Sequence, residues 1–141
     1  MDALAEFLRA DAARPFRFGE RDCLLRLADW GLALTGIDAA APWRGRCSSA
    51  LGAARILKRE GGLVAVLGKA FQPLGYVRAA EPRRGDLAVV ETSVGLSGAI
   101  VAAATGELDA AGRPVAIASL AQAGALRLAR LPVVAAWTLK A

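Results

Sequence analysis

The chain has 141 residues, of which 55% are hydrophobic and 22% are charged, and it carries a formal charge of +5. This length and composition predict a single domain with a buried core and exclude intrinsic disorder. No apolar run reaches the roughly 18 residues that a membrane-spanning helix needs, so no membrane span is expected. The first residues lack the basic region of a secretory signal, which predicts synthesis and folding in a cytoplasm.

Charge and cysteine content limit the kinds of partner and cofactor that we expect for this chain. The basic residues are scattered except for the pair Arg83 and Arg84, and with one tyrosine the chain shows no interleaving of aromatic and basic residues. We therefore expect no nucleic-acid partner. Cys23 and Cys47 are not spaced as C-x-x-C, and the chain contains no histidine. These counts predict no disulfide framework, no metal site and no cofactor.

Four helices are predicted in the first half of the chain, about residues 1–72. The first has Leu4, Phe7 and Leu8 on one face and ends before Pro15. The second runs from about Asp22 to Leu34, and Gly36 marks its C-terminal end. The four predicted helices cover about residues 1–13, 22–34, 50–60 and 63–71.

The second half, about residues 73–141, has short apolar runs separated by Gly and Pro, which is typical of strands. An extended segment leads to a turn at "PRRGD". The predicted strands are "LAVVE", "SGAIVAAA", "VAIAS", "ALRLA" and "VVAAWTL". Helices first and strands second predict an α+β fold in which the sheet packs on the helical half. No linker divides residues 1–141, so one domain is expected.

The segment "FGERDCLL" places Cys23 in the first turn of the second helix. Unpaired backbone N–H groups and the helix dipole favour the reactive thiolate there, although the charge of Asp22 opposes it. A thiol nucleophile also needs a base, which is usually histidine. Cys23 is therefore a nucleophile, the remnant of one, or a buried structural residue. Cys47 is interpreted as a packing residue.

Several motifs together resemble those of a known family. "FRFGERDCLLRLADW", followed in the second half by "EPRRGDLAVV" and "SGAIVAAATG", resembles the NlpC-type cell-wall peptidases, which have a papain-like α+β fold. The whole chain is more closely similar to a small relative found among tail genes of phages and phage-like particles. Shared features are the F-x-x-G-x-x-DC opening, "TGIDAAAPWRG", a "GG" after a helix and a C-terminal "AW".

The resemblance assigns roles to individual positions. Cys23 falls on the nucleophile, and Asp86 falls with Gly85 on a "GD" turn of structural importance. The position of the catalytic histidine is occupied by Ser97, and the nearest polar candidate for the third, ring-orienting position is Ser119. Serine has no basicity near neutral pH, and a general base contributes roughly 10²–10⁴-fold to the rate. The resemblance therefore implies that this chain keeps the fold of the peptidase family and has lost its catalytic activity.

The function implied is that of a structural protein of the phage tail tip or baseplate, located in the virion tail after synthesis in the bacterial cytoplasm. Its expected partners are other tail-tip and baseplate proteins. The alternative is an active cysteine peptidase or amidase that cleaves peptidoglycan during genome delivery, with a base supplied from elsewhere. A third interpretation is a soluble assembly factor that is absent from the mature virion.

Overall fold

The computed structural model describes residues 2–13, 23–42, 50–122 and 125–140, with the backbone alone at residues 23, 50–54, 122 and 125. Its N-terminal helices pack on a C-terminal antiparallel sheet, which confirms the α+β prediction. The helices are α1 (Ala3–Ala12), α2 (Cys23–Thr35), α3 (Ala50–Arg59) and α4 (Leu63–Phe71). The strands are β1 (Tyr76–Arg78), β2 (Leu87–Thr92), β3 (Gly95–Leu108), β4 (Pro114–Gln122) and β5 (Ala125–Leu139).

The ends of the helices follow local sequence signals. At the start of α1, the Asp2 carboxylate accepts a hydrogen bond from the backbone N–H of Ala5 at 3.1 Å, as expected of an N-cap. At the end of α2, Gly36 has a φ of +78° and its N–H donates to the carbonyl of Leu32 at 2.8 Å. The predicted C-terminal glycine is therefore confirmed. Within the described residues, no helix is long and apolar enough to cross a membrane.

The sheet has the strand order β1-β5-β2-β3-β4, with an additional pairing between β5 and β4. That pairing closes β2, β3, β4 and β5 into a small antiparallel barrel. The sequence predicted two separate strands, "ALRLA" and "VVAAWTL", at the end of the chain. This prediction is wrong, because β5 is continuous from Ala125 to Leu139. Its first part pairs with β4 as far as Pro132, and its second part pairs with β2 from Val133 onward. Pro132 lies where β5 changes partner, a position at which a missing N–H is tolerated.

Two apolar cores lie on opposite faces of the sheet. The outer core lies between helices and sheet, and the barrel core lies inside the closed strands. The outer core includes Leu27, Trp30, Phe71, Ile100 and Trp137. The barrel core is built of small side chains and a few larger ones: Ala88, Val90, Ala99, Val101, Ala116, Ala118, Leu120, Val133 and Ala136. Alanine at many inward positions allows four strands to close tightly.

Candidate functional site

Cys23 is the first residue of α2, as the sequence predicted, and α2 packs against β3. The side chain of Cys23, and the whole of Asp22 and Cys47, lie outside the described residues. Arg26 follows Cys23 by three positions, so the two residues lie on the same side of α2. The site is therefore described starting from Arg26 and its contacts.

Arg26 forms a buried polar cluster with Asp11 of α1 and Ser119 of β4. Its Nε donates to Oδ2 of Asp11 at 2.5 Å, and its Nη2 donates to Oγ of Ser119 at 3.2 Å. Its Nη1 donates to the carbonyl of Ser119 at 3.4 Å. The side chains of Arg26 and Asp11 are 3% and 2% exposed, and Ser119 is fully buried. We call these three residues the Arg26 cluster.

The chemistry of the Arg26 cluster does not include a free base. A guanidinium stays protonated at any pH that a folded protein survives, and serine is not basic near neutral pH. The carboxylate of Asp11 is held by the guanidinium, and a buried carboxylate needs that partner to remain charged. The cluster thus joins α1, α2 and β4 through one charged side chain.

Sequence reasoning named Ser119 and missed Asp11 and Arg26. On a predicted helix, an arginine or aspartate is normally assigned to the solvated surface. One signal was present, because Arg26 stands between two apolar residues of α2, Leu25 and Leu27. A charged residue inside an apolar run indicates a buried partner, but the sequence does not say which residue it is.

Ser97 lies on β3, opposite Val90 of β2 in the register. Paired residues of neighbouring strands point to the same face, so Ser97 shares the barrel-core face with Val90. Ser119 pairs with Ile100, which belongs to the outer core that the helices cover. The fold therefore brings Arg26 and Ser119 together and puts Ser97 on the opposite face. The hydroxyl of Ser97 donates to the carbonyl of Gly98 at 3.1 Å.

The "GD" turn lies between β1 and β2. Gly85 has a φ of +92°, and Oδ2 of Asp86 accepts the backbone N–H of Arg83 at 2.8 Å. The Gly85 N–H donates to the carbonyl of Val101 at 2.8 Å, which ties the turn to β3. The indole N–H of Trp30 donates to the Gly85 carbonyl at 2.9 Å, which ties it to α2. Gly85 and Asp86 thus hold the turn against its neighbours.

Tyr76 is a titratable residue of the outer core whose proton affinity is strongly changed. Burial, with a smaller contribution from the negative charge of Asp86, raises the pKa of Tyr76 to about 12. Its ring packs edge-on against Phe71 with centroids 5.4 Å apart. Among the described residues, its buried hydroxyl has no hydrogen-bond partner. The phenol therefore remains neutral near pH 7 and supplies no base.

A metal centre has no support from the described part of the chain, where no three Cys, Asp or Glu residues are grouped so as to hold an ion. In comparisons with known proteins, neither a curated protein nor a solved structure matches the chain. A family model does match, over residues 1–139, and this range includes the four α-helices and five strands that the structure describes. The chain therefore belongs to DUF6950, a family described as a domain of unknown function.

Proposed function

We propose that this protein is a structural component of the tail tip or baseplate of a phage or phage-like particle. In this proposal it uses a degenerate, papain-like fold of the NlpC type as an assembly module. Its partners are neighbouring tail-tip and baseplate proteins, and its location is the virion tail. The observation that carries the proposal is the combination of an Asp-Cys pair at the start of α2 with a chain that contains no histidine.

The layout of the domain supports the papain-like part of the proposal. In the NlpC-type family the Asp-Cys helix comes first, a "P-x-x-GD" turn opens the sheet, and the next strand begins with histidine. Here α2 begins at Cys23, the turn at Gly85 and Asp86 leads directly into β2, and Ser97 lies near the start of β3. The order of these elements and motifs along the chain is that of the family, and this order supports the proposal.

The described polar groups support the loss of catalysis. Cysteine hydrolysis needs a neutral base within hydrogen-bonding reach of the thiol. Arg26 follows Cys23 by about one turn of α2, and it is a permanent cation bound to Asp11. Ser97, at the histidine position of the family, shares the opposite face of the sheet with Val90. An arrangement of this kind favours a structural role for α2.

Two measurements on particles test the structural proposal. Mass spectrometry of purified particles should detect the protein, whereas an assembly factor would be missing from the mature virion. Particles that carry Cys23→Ala should assemble, infect and digest cell wall as the parent particles do. A Cys23→Ala particle that assembles but no longer digests cell wall would overturn the proposal.

The alternative is a cysteine peptidase or amidase that cleaves peptidoglycan during genome delivery. One observation favours it: Cys23 begins α2, where the helix dipole stabilises a thiolate. The purified Cys47→Ala protein isolates the Cys23 thiol, and Cys23→Ser in that background is its control. Alkylation by iodoacetamide that follows an ordinary thiol pKa of about 8.5, without peptidoglycan digestion, would exclude the alternative.

A further inference from the structure

A groove of about 460 Å³ lies between α4 and β1, on the side of the sheet that the helices cover. One side of the groove is formed by Gly68 of α4 and by Gln72, which directly follows α4, and the other side by β1. Trp137 of β5 contributes its indole to the lining. At Gly68, an added Cβ would lie 3.7 Å from the indole nitrogen of Trp137, so α4 passes close to the indole. The groove thus combines an aromatic side chain with the backbone of a strand.

The backbone of β1 has one unpaired edge. β1 is the last strand in the sheet order and pairs with β5 alone. Its bonds to β5 flank the strand: the Ala79 N–H donates to the Ala136 carbonyl at 2.9 Å, and the Lys140 N–H donates to the Gly75 carbonyl at 3.0 Å. Residues alternate between inward and outward bonding in an antiparallel ladder. The N–H and C=O groups of Tyr76 and Arg78 therefore point away from β5.

These outward groups have no backbone partner among the described residues. Open strand edges of this kind are the templates on which an extended peptide adds as a further strand, with backbone hydrogen bonds supplying affinity. The adjacent groove would receive side chains of such a peptide. Val77 lies between Tyr76 and Arg78, so its side chain is on the other face of β1, where it is 44% exposed.

The charges around the groove are positive. Arg78 is exposed, and its guanidinium carbon lies 5.4 Å from the centroid of the Trp137 ring, a cation–π contact that keeps it beside the groove. Lys69 is exposed one helical turn from Gln72, and Lys140 is exposed next to the end of β1. Within the described parts of the chain, none of these three cations forms an ion pair.

We propose that the β1 edge and the α4 groove bind an extended, acidic segment of a partner protein, which adds to the sheet as a strand beside β1. Carboxylates of that segment would pair with Arg78, Lys69 and Lys140. A second copy of this chain does not suit the surface, because edge-to-edge pairing would bring two sets of these cations together in a protein of net charge +5. The inference does not depend on the chemistry of Cys23.

The test uses the full-length protein and a labelled peptide of alternating glutamate and valine. A peptide with lysine in place of glutamate is the control for charge. The acidic peptide should bind and slow amide hydrogen exchange at Tyr76 and Arg78, whose outward N–H groups would become hydrogen-bonded. Charge reversal by Arg78→Glu together with Lys69→Glu should weaken binding about tenfold or more. Arg9→Glu on the exposed side of α1 should leave it unchanged.

Three results would overturn the proposal. The first is equal binding of the lysine peptide. The second is binding of the acidic peptide that protects other amides, or that survives the double charge reversal. The third is concentration-dependent dimerisation of the free protein with protection of the β1 amides, which would assign the edge to a second copy of the chain.

Discussion

Arg26 and Ser119 join α2 to β4 through two hydrogen bonds, from Nη2 to the serine Oγ at 3.2 Å and from Nη1 to the serine carbonyl at 3.4 Å. The same guanidinium holds Asp11 of α1. Three elements that are distant in sequence therefore meet at one buried cation. Because neither charged side chain reaches water, the stability of this junction depends on both partners being present.

Removing one partner of the Arg26 cluster should be strongly destabilising. Arg26→Ala removes the cation that holds the buried Asp11 carboxylate, so we expect the free energy of unfolding to fall by about 3–5 kcal/mol. Arg26→Met combined with Asp11→Leu removes both charges and should cost much less. Urea unfolding measures all of these variants. A double variant as unstable as Arg26→Ala would show that the buried charge is not the cause of the lost stability.

A surface pair provides the control for that series. Arg84 forms an ion pair with Asp2, and both side chains are about half exposed. Exposed ion pairs contribute little to stability because water and salt screen them. Arg84→Ala should therefore leave the urea midpoint nearly unchanged, which would separate the effect of burial from the loss of an arginine.

The hydrogen bond between Trp30 and the turn should be measurable by substitution. Trp30→Phe removes the N–H that donates to the Gly85 carbonyl, and we expect a loss of about 1–3 kcal/mol in the free energy of unfolding. Trp137→Phe is the matched control, because the Trp137 indole N–H donates to no described residue. Equal losses for the two variants would attribute the effect to ring size alone.

Two glycine substitutions should differ in their effect on stability. Gly85 has a φ of +92° with open space where a Cβ would lie, so Gly85→Ala meets no clash but strains the backbone by about 1–2 kcal/mol. Gly68 lies within α4, and its new Cβ would make an ordinary contact with Trp137. Gly68→Ala should be neutral or stabilising by up to about 1 kcal/mol. Thermal or urea unfolding of both variants checks the difference.

Tyr76 should make the folded state less stable in alkaline solution. The pKa of Tyr76 is about 12 in the folded state, against an ordinary value of 10.0. As the pH rises between these values, the unfolded chain releases the phenolic proton while the folded chain keeps it, so stability falls. Well below pH 10 the phenol is protonated in both states and contributes no pH dependence.

Because Tyr76 is the single tyrosine of the chain, tyrosinate absorbance reports this group alone. The absorbance should rise near pH 12 in the folded protein and near pH 10 in urea. Tyr76→Phe should remove the part of the alkaline loss of stability that is due to the ionisation of Tyr76. The variant should also be at least as stable near pH 7, because it removes a buried hydroxyl without a partner. Titration of the folded protein near pH 10 would contradict the buried environment.

The elements that sequence reasoning located correctly have strong local signals. The helical periodicity of α1, the glycine at the end of α2 and the turn residues at Gly85 and Asp86 all act within a few positions of the chain. The division of β5 into two strands was wrong because Pro132 was taken as a local break. The structure tolerates it, since β5 changes neighbours at that point.

The sequence by itself determined the order of helices and strands, the place of Cys23 at the start of α2 and the absence of a histidine, because periodicity, capping and composition are properties of neighbouring residues. Only the tertiary structure decided that Arg26 meets Asp11 and Ser119, that Ser97 faces the barrel core, and that β5 closes the sheet. Each of these depends on the register and packing of segments distant in sequence, and a single side chain reverses its face when a strand slips by one residue.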